Sequence, residues 1–348
     1  MDLAVQLDKG RLKSVQVQRP KLSSIDDVII EVTHAGVCGT DLKIIDGKFP
    51  AAETVIMGHE ITGLIAEKGE NVTHLSIGDR VCVNPFNFCS TCLYCVRGDT
   101  QFCVREGMKT AFGIMKDGGW QKYVVVPGSL CFQLPQGMSL QDSVFCQPLS
   151  NCIRGWDNMV HVDLDARILV AGAGIVGLLW ASLFHFHGYR DVTITEVIDH
   201  RKLMASRLDL GFPALKPGDV NREMREAEEH GNEAWGFDLI VDCTGQKEAI
   251  ETQFKWLRKG ATFLLYGVCA QGVNLDLEVY QIYKKEITIV SSYLNRFSYA
   301  RTLKLVHGMS KRYLDFKKLD VGVFKLKDYE EALEKLQNGE FSKLVFEV

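Results

Sequence analysis

The chain lacks a basic excess. Lys and Arg number 40 against 44 Asp and Glu, a net charge of −4, whereas nucleic acid and anionic membrane surfaces reward the opposite balance. Neither is expected as a partner. Proline is scarce at 8 and glycine ordinary at 31 in 348 residues, which excludes a fibrous or low-complexity chain. No internal repeat is present. The start, MDLAVQLDKG, has no apolar core of the signal-peptide kind. The uncharged run Ile168–Phe184 comes close to the ~20 residues a membrane-spanning helix needs, but three early glycines interrupt it. Apolar residues make up 46% and charged residues 24%, so a packed core is expected and global disorder is not. The length suits about two domains.

Cysteine, in contrast, is abundant. Four of the eleven lie within fifteen residues: Cys89, Cys92, Cys95 and Cys103. The other seven are scattered: Cys38, Cys82, Cys131, Cys146, Cys152, Cys243 and Cys269. An odd count in a long chain does not suit a secreted disulfide framework. A reducing, cytoplasmic setting is expected, where clustered cysteines usually mean metal.

The texture changes once along the chain. Up to about residue 150, short β-like runs such as Val28–Val32, Ile61–Ala66, Arg80–Asn84 and Tyr123–Pro127 alternate with glycine-bearing turns. Strands without long helices between them suggest a β-rich domain with antiparallel or non-sequential pairing. From about Arg167, apolar strands (Ile168–Ala171, Val192–Glu196, Leu239–Cys243, Ala261–Tyr266, Ile287–Ser291) alternate with helices at Arg201–Leu210, Val220–His230 and Lys247–Leu257. That is the pattern of a doubly wound parallel sheet. The tail reads as a helix at Tyr299–Gly308, a strand near Val323–Leu326, a helix at Tyr329–Asn338 and a strand at Lys343–Glu347.

The segment Gly172-Ala-Gly174-Ile175-Val176-Gly177 ends a strand and opens a helix. Gly172 permits the tight turn, Gly174 lets the backbone approach a pyrophosphate, and Gly177 lets the helix pack on the strand. The free N–H groups and positive dipole end of the helix then face the phosphates. A glycine-rich turn alone is a weak signal; the flanking strand and helix strengthen it. Glu196 ends the next strand, nineteen residues after Gly177. A carboxylate there accepts hydrogen bonds from ribose hydroxyls and repels a 2′-phosphate, so NAD is expected rather than NADP, with Arg201 nearby as a complicating cation. Cys243-Thr244 and Val268 follow later strands, at the ends where open α/β sheets bind ligands.

Cys89-x2-Cys92-x2-Cys95-x7-Cys103 supplies four soft thiolates within one lobe, enough to close a zinc tetrahedron with no opening for substrate. That zinc should be structural. A second constellation is dispersed: Cys38 followed by Thr40 and Asp41, then His59-Glu60. Cysteine, histidine and carboxylate are each competent zinc ligands. Taken singly, Cys38 also reads as a buried apolar residue and His59 as a satisfied turn histidine.

At this point the sequence resembles the zinc-dependent medium-chain alcohol dehydrogenases, closest to their polyol (sorbitol and arabinitol) branch, over essentially the whole chain. The resemblance rests on Gly58-His59-Glu60-x2-Gly63-x5-Gly69-x2-Val72, then Gly78-Asp79-Arg80-Val81, the four-cysteine lobe, Asp117-Gly118-Gly119 and the Gly172/Gly174/Gly177 turn, all in the family's order. It implies an α/β protein: a β-rich GroES-like catalytic domain at residues 1–150 with the zinc lobe at 86–106, completed by 291–348, and an NAD-binding Rossmann domain at 151–290. The cofactor and Cys38 would meet in the cleft between them. Cys38 and His59 would hold the catalytic zinc, with Glu60 as an intermittent ligand. Asp41 would orient His59, and Thr40 would hydrogen-bond the substrate alcohol and pass its proton on. Two zincs per chain, NAD, a small alcohol or polyol substrate and a homo-oligomer (dimer or tetramer) paired through the nucleotide domain follow from the same resemblance.

Three departures qualify it. Gln147, in Cys146-Gln147-Pro148-Leu149, stands where the family often carries a glutamate ligand. With Cys38 the one bound anion the catalytic site would carry a net positive charge; with Glu60 also bound it would be neutral. Lys43 replaces a relay histidine and reads as a solvated lysine. Leu294 replaces a substrate-binding arginine, Arg296 lies two residues on, and Ile44 replaces an aromatic hydroxyl residue. A less polar secondary alcohol or diol is therefore the alternative substrate. Phe112 and Trp120 are candidate pocket walls. The rival from another class is a non-catalytic, zinc-stabilised interaction protein. A zinc-free reductase of the same superfamily and a relative that has lost catalysis are further alternatives, the first disfavoured by Cys38 and His59.

Overall fold

The computed structural model describes residues 1–159 and 161–348. The chain folds into two compact units, one from residues 1–150 with 295–348 and the other from 151–294.

The first unit is organised on the strand Asp27–Val37, whose Val28, Ile29, Ile30, Val32, Ala35 and Val37 are buried. One edge pairs antiparallel with Glu60–Lys68. The other is shared, Tyr123–Pro127 pairing at the strand's start and Lys343–Glu347 at its end. Arg80–Val83 and Cys131–Gln133 extend the sheet on one side and Val321–Lys325 on the other. Order in the sheet thus departs from order in the chain, and the return segment inserts a strand beside a strand of the first 40 residues. A separate three-stranded sheet carries the hairpin of Asp2–Asp8 and Arg11–Val17 with Thr54–Ile56. Its turn places Lys9 and Gly10 both at positive φ, as tight hairpin turns require. The hairpin is not evident in the sequence because Arg11–Val17 is mostly exposed and lacks an apolar face.

In the second unit six parallel strands take the order Ala214–Leu215, Val192–Thr195, Ile168–Ala171, Phe237–Asp242, Leu257–Leu265, Thr288–Ser291. Numbered along the chain this is 3-2-1-4-5-6, the doubly wound dinucleotide-binding order. The central strands are almost wholly buried on both faces. Helices Asp199–Arg207, Pro217–Glu229 and Lys247–Lys255 fall between them. The uncharged run divides between the strand Ile168–Ala171 and the helix Ile175–Phe186. Among the described residues no helix is long and apolar enough to cross a membrane.

Some boundaries differ from expectation. The helix from Lys247 stops at Lys255, and Leu257 already opens the next strand, four residues before Ala261. The intervening Arg258-Lys259-Gly260 is charged, exposed or half-exposed, and reads as a turn. The strand near Val323 runs Val321–Lys325, leaving Leu326 to a 3₁₀ turn. The helix Cys146–Asn158 is hidden in the sequence by Pro148 and Gly155. Pro148 falls in the first turn, where a missing N–H costs nothing. A Cβ at Gly155 would lie 2.8 Å from Trp180, so this glycine permits close packing.

Candidate metal centres and cofactor site

Cys38 follows the strand Asp27–Val37 and caps the helix Gly39–Ile45. Its N–H donates to Asp41 Oδ2 at 2.8 Å, and its Sγ accepts the N–H of Thr40 at 3.5 Å. Gly36 lies opposite Glu60 in the adjacent strand, which delivers His59 and Glu60 beside Cys38. Gly58, at φ +94°, makes the bend before them; a Cβ there would sit 2.2 Å from Trp120. The ligating atoms of Cys38, His59 and Glu60 all lie within 4.8 Å of one another. His59 is buried with Nδ1 3.1 Å from Oδ1 of the fully buried Asp41. Burial opposes a charge on His59, yet the Asp41 carboxylate and Cys38 outweigh it and hold the imidazole well above its ordinary pKa. Thr40 is half-buried in the first turn of that helix, and Gln147 is buried in the first turn of Cys146–Asn158.

Glu60 reveals a partner that the sequence conceals. Its Oε2 accepts from Lys343 in a very short contact, both side chains being 1% exposed. Lys343 Nζ also donates to the Val37 carbonyl at 3.2 Å. Glu60 Oε1 is buried and has no hydrogen-bond partner among the described residues. A thiol, an imidazole and a carboxylate with one orphaned oxygen fit a zinc ion. A lysine directly before the apolar run Leu344-Val345-Phe346 is the one signal the sequence offers for Lys343.

The four cysteines of the lobe also converge, their sulfurs within 4.8 Å of one another. Cys103 Sγ accepts the N–H groups of Cys89 and Glu106, each at 3.4 Å. The Thr91 backbone and hydroxyl pull the Cys89 thiol down to about 6, while burial and Cys92 push Cys95 up to about 12. Among the described residues all eleven cysteines are free thiols, and the lobe's four sulfurs suit a closed thiolate site.

Other expected residues fall elsewhere. Arg296, two residues after Leu294, is engaged by Asp99 of the lobe at 2.9 Å. Trp120 is fully buried, edge-on to Phe346 at 5.2 Å, and belongs to the core rather than to a pocket wall. Its large ring fills the space that Gly58 leaves open. Phe112 and Ile44 are buried too. Lys43 is half-buried in the last turn of Gly39–Ile45.

In the second unit Gly172 adopts φ +97°, and a Cβ at Gly177 would lie 1.8 Å from the Gly172 carbonyl oxygen. A Cβ at Gly174 would meet open space, and no side chain caps the helix that begins Ile175-Val176. A cavity of about 590 Å³ is lined by Gly172, Gly174, Glu196, Arg201, Cys243 and Thr244, among others, a size that suits part of a dinucleotide. Ile175, Val176, Gly177 and Val268 lie outside its lining. Glu196 accepts N–H bonds from Ala173 at 2.8 Å, Val197 at 2.8 Å and Ile198 at 3.0 Å, which ties the glycine turn to the next strand. Buried Asp242, not singled out as a site residue in the sequence, builds the adjacent loop: it accepts from the Thr244 N–H at 3.2 Å and hydroxyl at 2.5 Å, and from the Gly245 N–H at 3.0 Å. Burial and Asp242 raise the Cys243 thiol well above its ordinary range.

Residues 24–136 match the alcohol dehydrogenase GroES-like domain, and residues 176–308 match the zinc-binding dehydrogenase domain. Together they span more than half of the chain, which belongs to the zinc-dependent alcohol dehydrogenase family. D-arabinitol dehydrogenase 1 of Uromyces fabae is 26% identical over 98% of this chain and 99% of its own length. Sorbitol dehydrogenase of Halalkalibacterium halodurans is 27% identical over 91% of this chain and 90% of its own. A crystal structure from Sinorhizobium meliloti 1021, provisionally described as a zinc-binding dehydrogenase and bound to NADP, is 26% identical, with TM-score 0.88 over 100% of this chain and 99% of that one. These likenesses lend no support to a non-catalytic interaction protein.

Proposed function

We propose that this chain is a zinc-dependent oxidoreductase that transfers a hydride between a polyol or secondary alcohol and NAD(P). The observation that carries the reading is the convergence of Cys38, His59 and Glu60, with Glu60 Oε1 buried and without a hydrogen-bond partner among the described residues. The sorbitol and arabinitol dehydrogenases among the relatives support the polyol class.

Cys38 and His59 would hold a catalytic zinc, Glu60 would ligate it intermittently, and Gln147 would ligate it or hold its water. Bound there, zinc supplies Lewis acidity that favours loss of the alcohol proton. Thr40 positions the alcohol and relays its proton, and Asp41 fixes the ring of His59. Cys89, Cys92, Cys95 and Cys103 would hold a second, structural zinc. Gly172, Gly174 and Gly177 seat the pyrophosphate, with Ile175 and Val176 at the helix end, Cys243, Thr244 and Val268 on flanking loops, and Glu196 selecting NAD over NADP. Arg201 lines the same cavity and opposes that selection.

A less polar secondary alcohol or diol is the second reading of the substrate, favoured by the pairing of Arg296 with Asp99. The protein acts in the cytoplasm as a homo-oligomer joined through the nucleotide-binding unit, whose edge strand Thr288–Ser291 is exposed. The test is a panel of polyols, diols and secondary alcohols with NAD+ and NADP+, beside zinc content. Turnover with NAD+ and two zincs per chain is the expected result; one zinc and no turnover would overturn the reading.

A further inference from the structure

Beyond these roles, Glu60 and Lys343 form a buried ion pair at the candidate catalytic centre. Lys343 opens the strand Lys343–Glu347, where Leu344 lies opposite Val37. On the far side of Asp27–Val37, Glu60 lies opposite Gly36. The two side chains therefore meet across the end of the central strand, with Glu60 lying over a residue that has no side chain. A Cβ at Gly36 would lie 1.8 Å from Glu60 Oε2. The Val37 carbonyl, 3.2 Å from Nζ, fixes the ammonium from a second direction. One oxygen of Glu60 is thus tied and the other, Oε1, is buried with no hydrogen-bond partner among the described residues.

Charge gives this arrangement a consequence. A divalent ion held by the Cys38 thiolate, neutral His59 and the Glu60 carboxylate makes a neutral site with no electrostatic preference for a deprotonated alcohol. The Lys343 ammonium returns one positive charge to that site at close range. We propose that Lys343 is a positioning residue: it tethers Glu60 by Oε2, limits the carboxylate's approach to the metal position, and keeps the open coordination position favourable to an anion. This inference rests on the reading of Cys38, His59 and Glu60 as catalytic zinc ligands. Without Lys343, Glu60 becomes a permanent ligand, the open position narrows and the site turns neutral.

The test uses the full-length, metal-loaded protein with Lys343→Met, Lys343→Arg, Glu60→Gln and the double variant Lys343→Met/Glu60→Gln. The probe is azide, titrated against enzyme whose catalytic metal is replaced by cobalt. Lys343→Met should keep two metals per chain, shift the visible cobalt bands and weaken azide binding by about ten- to hundredfold, as removal of a nearby unit charge requires. Lys343→Arg should retain the wild-type spectrum and affinity. The double variant should recover azide affinity, because the carboxylate that needed restraint is gone. A merely structural lysine would lose metal and stability without that recovery. Unchanged azide affinity and spectrum in Lys343→Met would overturn the proposal, as would a double variant that binds azide no better than the single one. If Lys343→Met does not fold, Lys343→Arg, Glu60→Gln and the double variant carry the comparison. Wild-type protein with one zinc sinks the underlying reading instead, whereas two zincs with unmoved azide affinity sinks only the role of Lys343.

Discussion

The first unit carries two cysteine-bearing clusters built in opposite ways. The lobe draws Cys89, Cys92, Cys95 and Cys103 from one short stretch, uses a single donor type and satisfies its sulfurs with local N–H groups. The other joins Cys38, His59 and Glu60 from two adjacent strands, mixes three donor chemistries, and leans on Asp41 and on Lys343 from the return segment. A closed site needs only enough soft ligands in a compact loop. An open site must hold fewer ligands, keep one position available and balance charge, so it recruits residues distant in the chain.

Substitutions should separate the two clusters by signature. Cys38→Ser should abolish turnover while the fold, NAD binding and one zinc per chain persist; normal alcohol oxidation in this variant would mean the clusters' roles are misassigned. Cys95→Ala should show the reverse. Zinc again falls to one per chain, but the main loss is stability, roughly 3–5 kcal/mol by denaturant unfolding, with turnover per folded molecule largely kept. Gly36→Ala should cost about 1–3 kcal/mol through overpacking and depress turnover by displacing Glu60, leaving the lobe's zinc in place. Glu196→Ala, outside both clusters, should lower the NAD-to-NADP ratio of kcat/KM by about tenfold, ~1.4 kcal/mol; an unchanged ratio removes Glu196 from cofactor choice. Arg296→Ala should be mildest, within ~1 kcal/mol for a partly exposed ion pair. A rise in polyol KM there would show that Arg296 reaches substrate after all.

The same contrast explains what could be read from the sequence. The lobe is legible because its four cysteines share one stretch and their close spacing alone points to sulfurs that converge. Cys38 and His59 carry ordinary alternatives when read singly; the family pattern around Gly58-His59-Glu60 links them. Lys343 is illegible because it lies 283 residues from Glu60 and a strand-opening lysine normally reads as solvated. Gly36 is hidden likewise, since its role is to leave space for the Glu60 carboxylate, which is distant from it in sequence. The parallel sheet is plain from its apolar strands and glycine turn, while the hairpin Asp2–Val17 is not, because an exposed strand carries no alternating pattern. Trp120 looks like a pocket wall until Gly58 and Phe346 are placed around it.

The return of the chain to its first unit also sets an order of assembly. During synthesis Cys38, His59 and Glu60 emerge together, but Lys343 follows only after the whole of residues 151–294. At ~5–20 residues per second, the 283-residue gap amounts to about 15–60 s. A first unit that folded within that interval would lack both the strand Lys343–Glu347 and the counter-ion of Glu60. In the order of synthesis, the last strand of the sheet is the one that brings the cation.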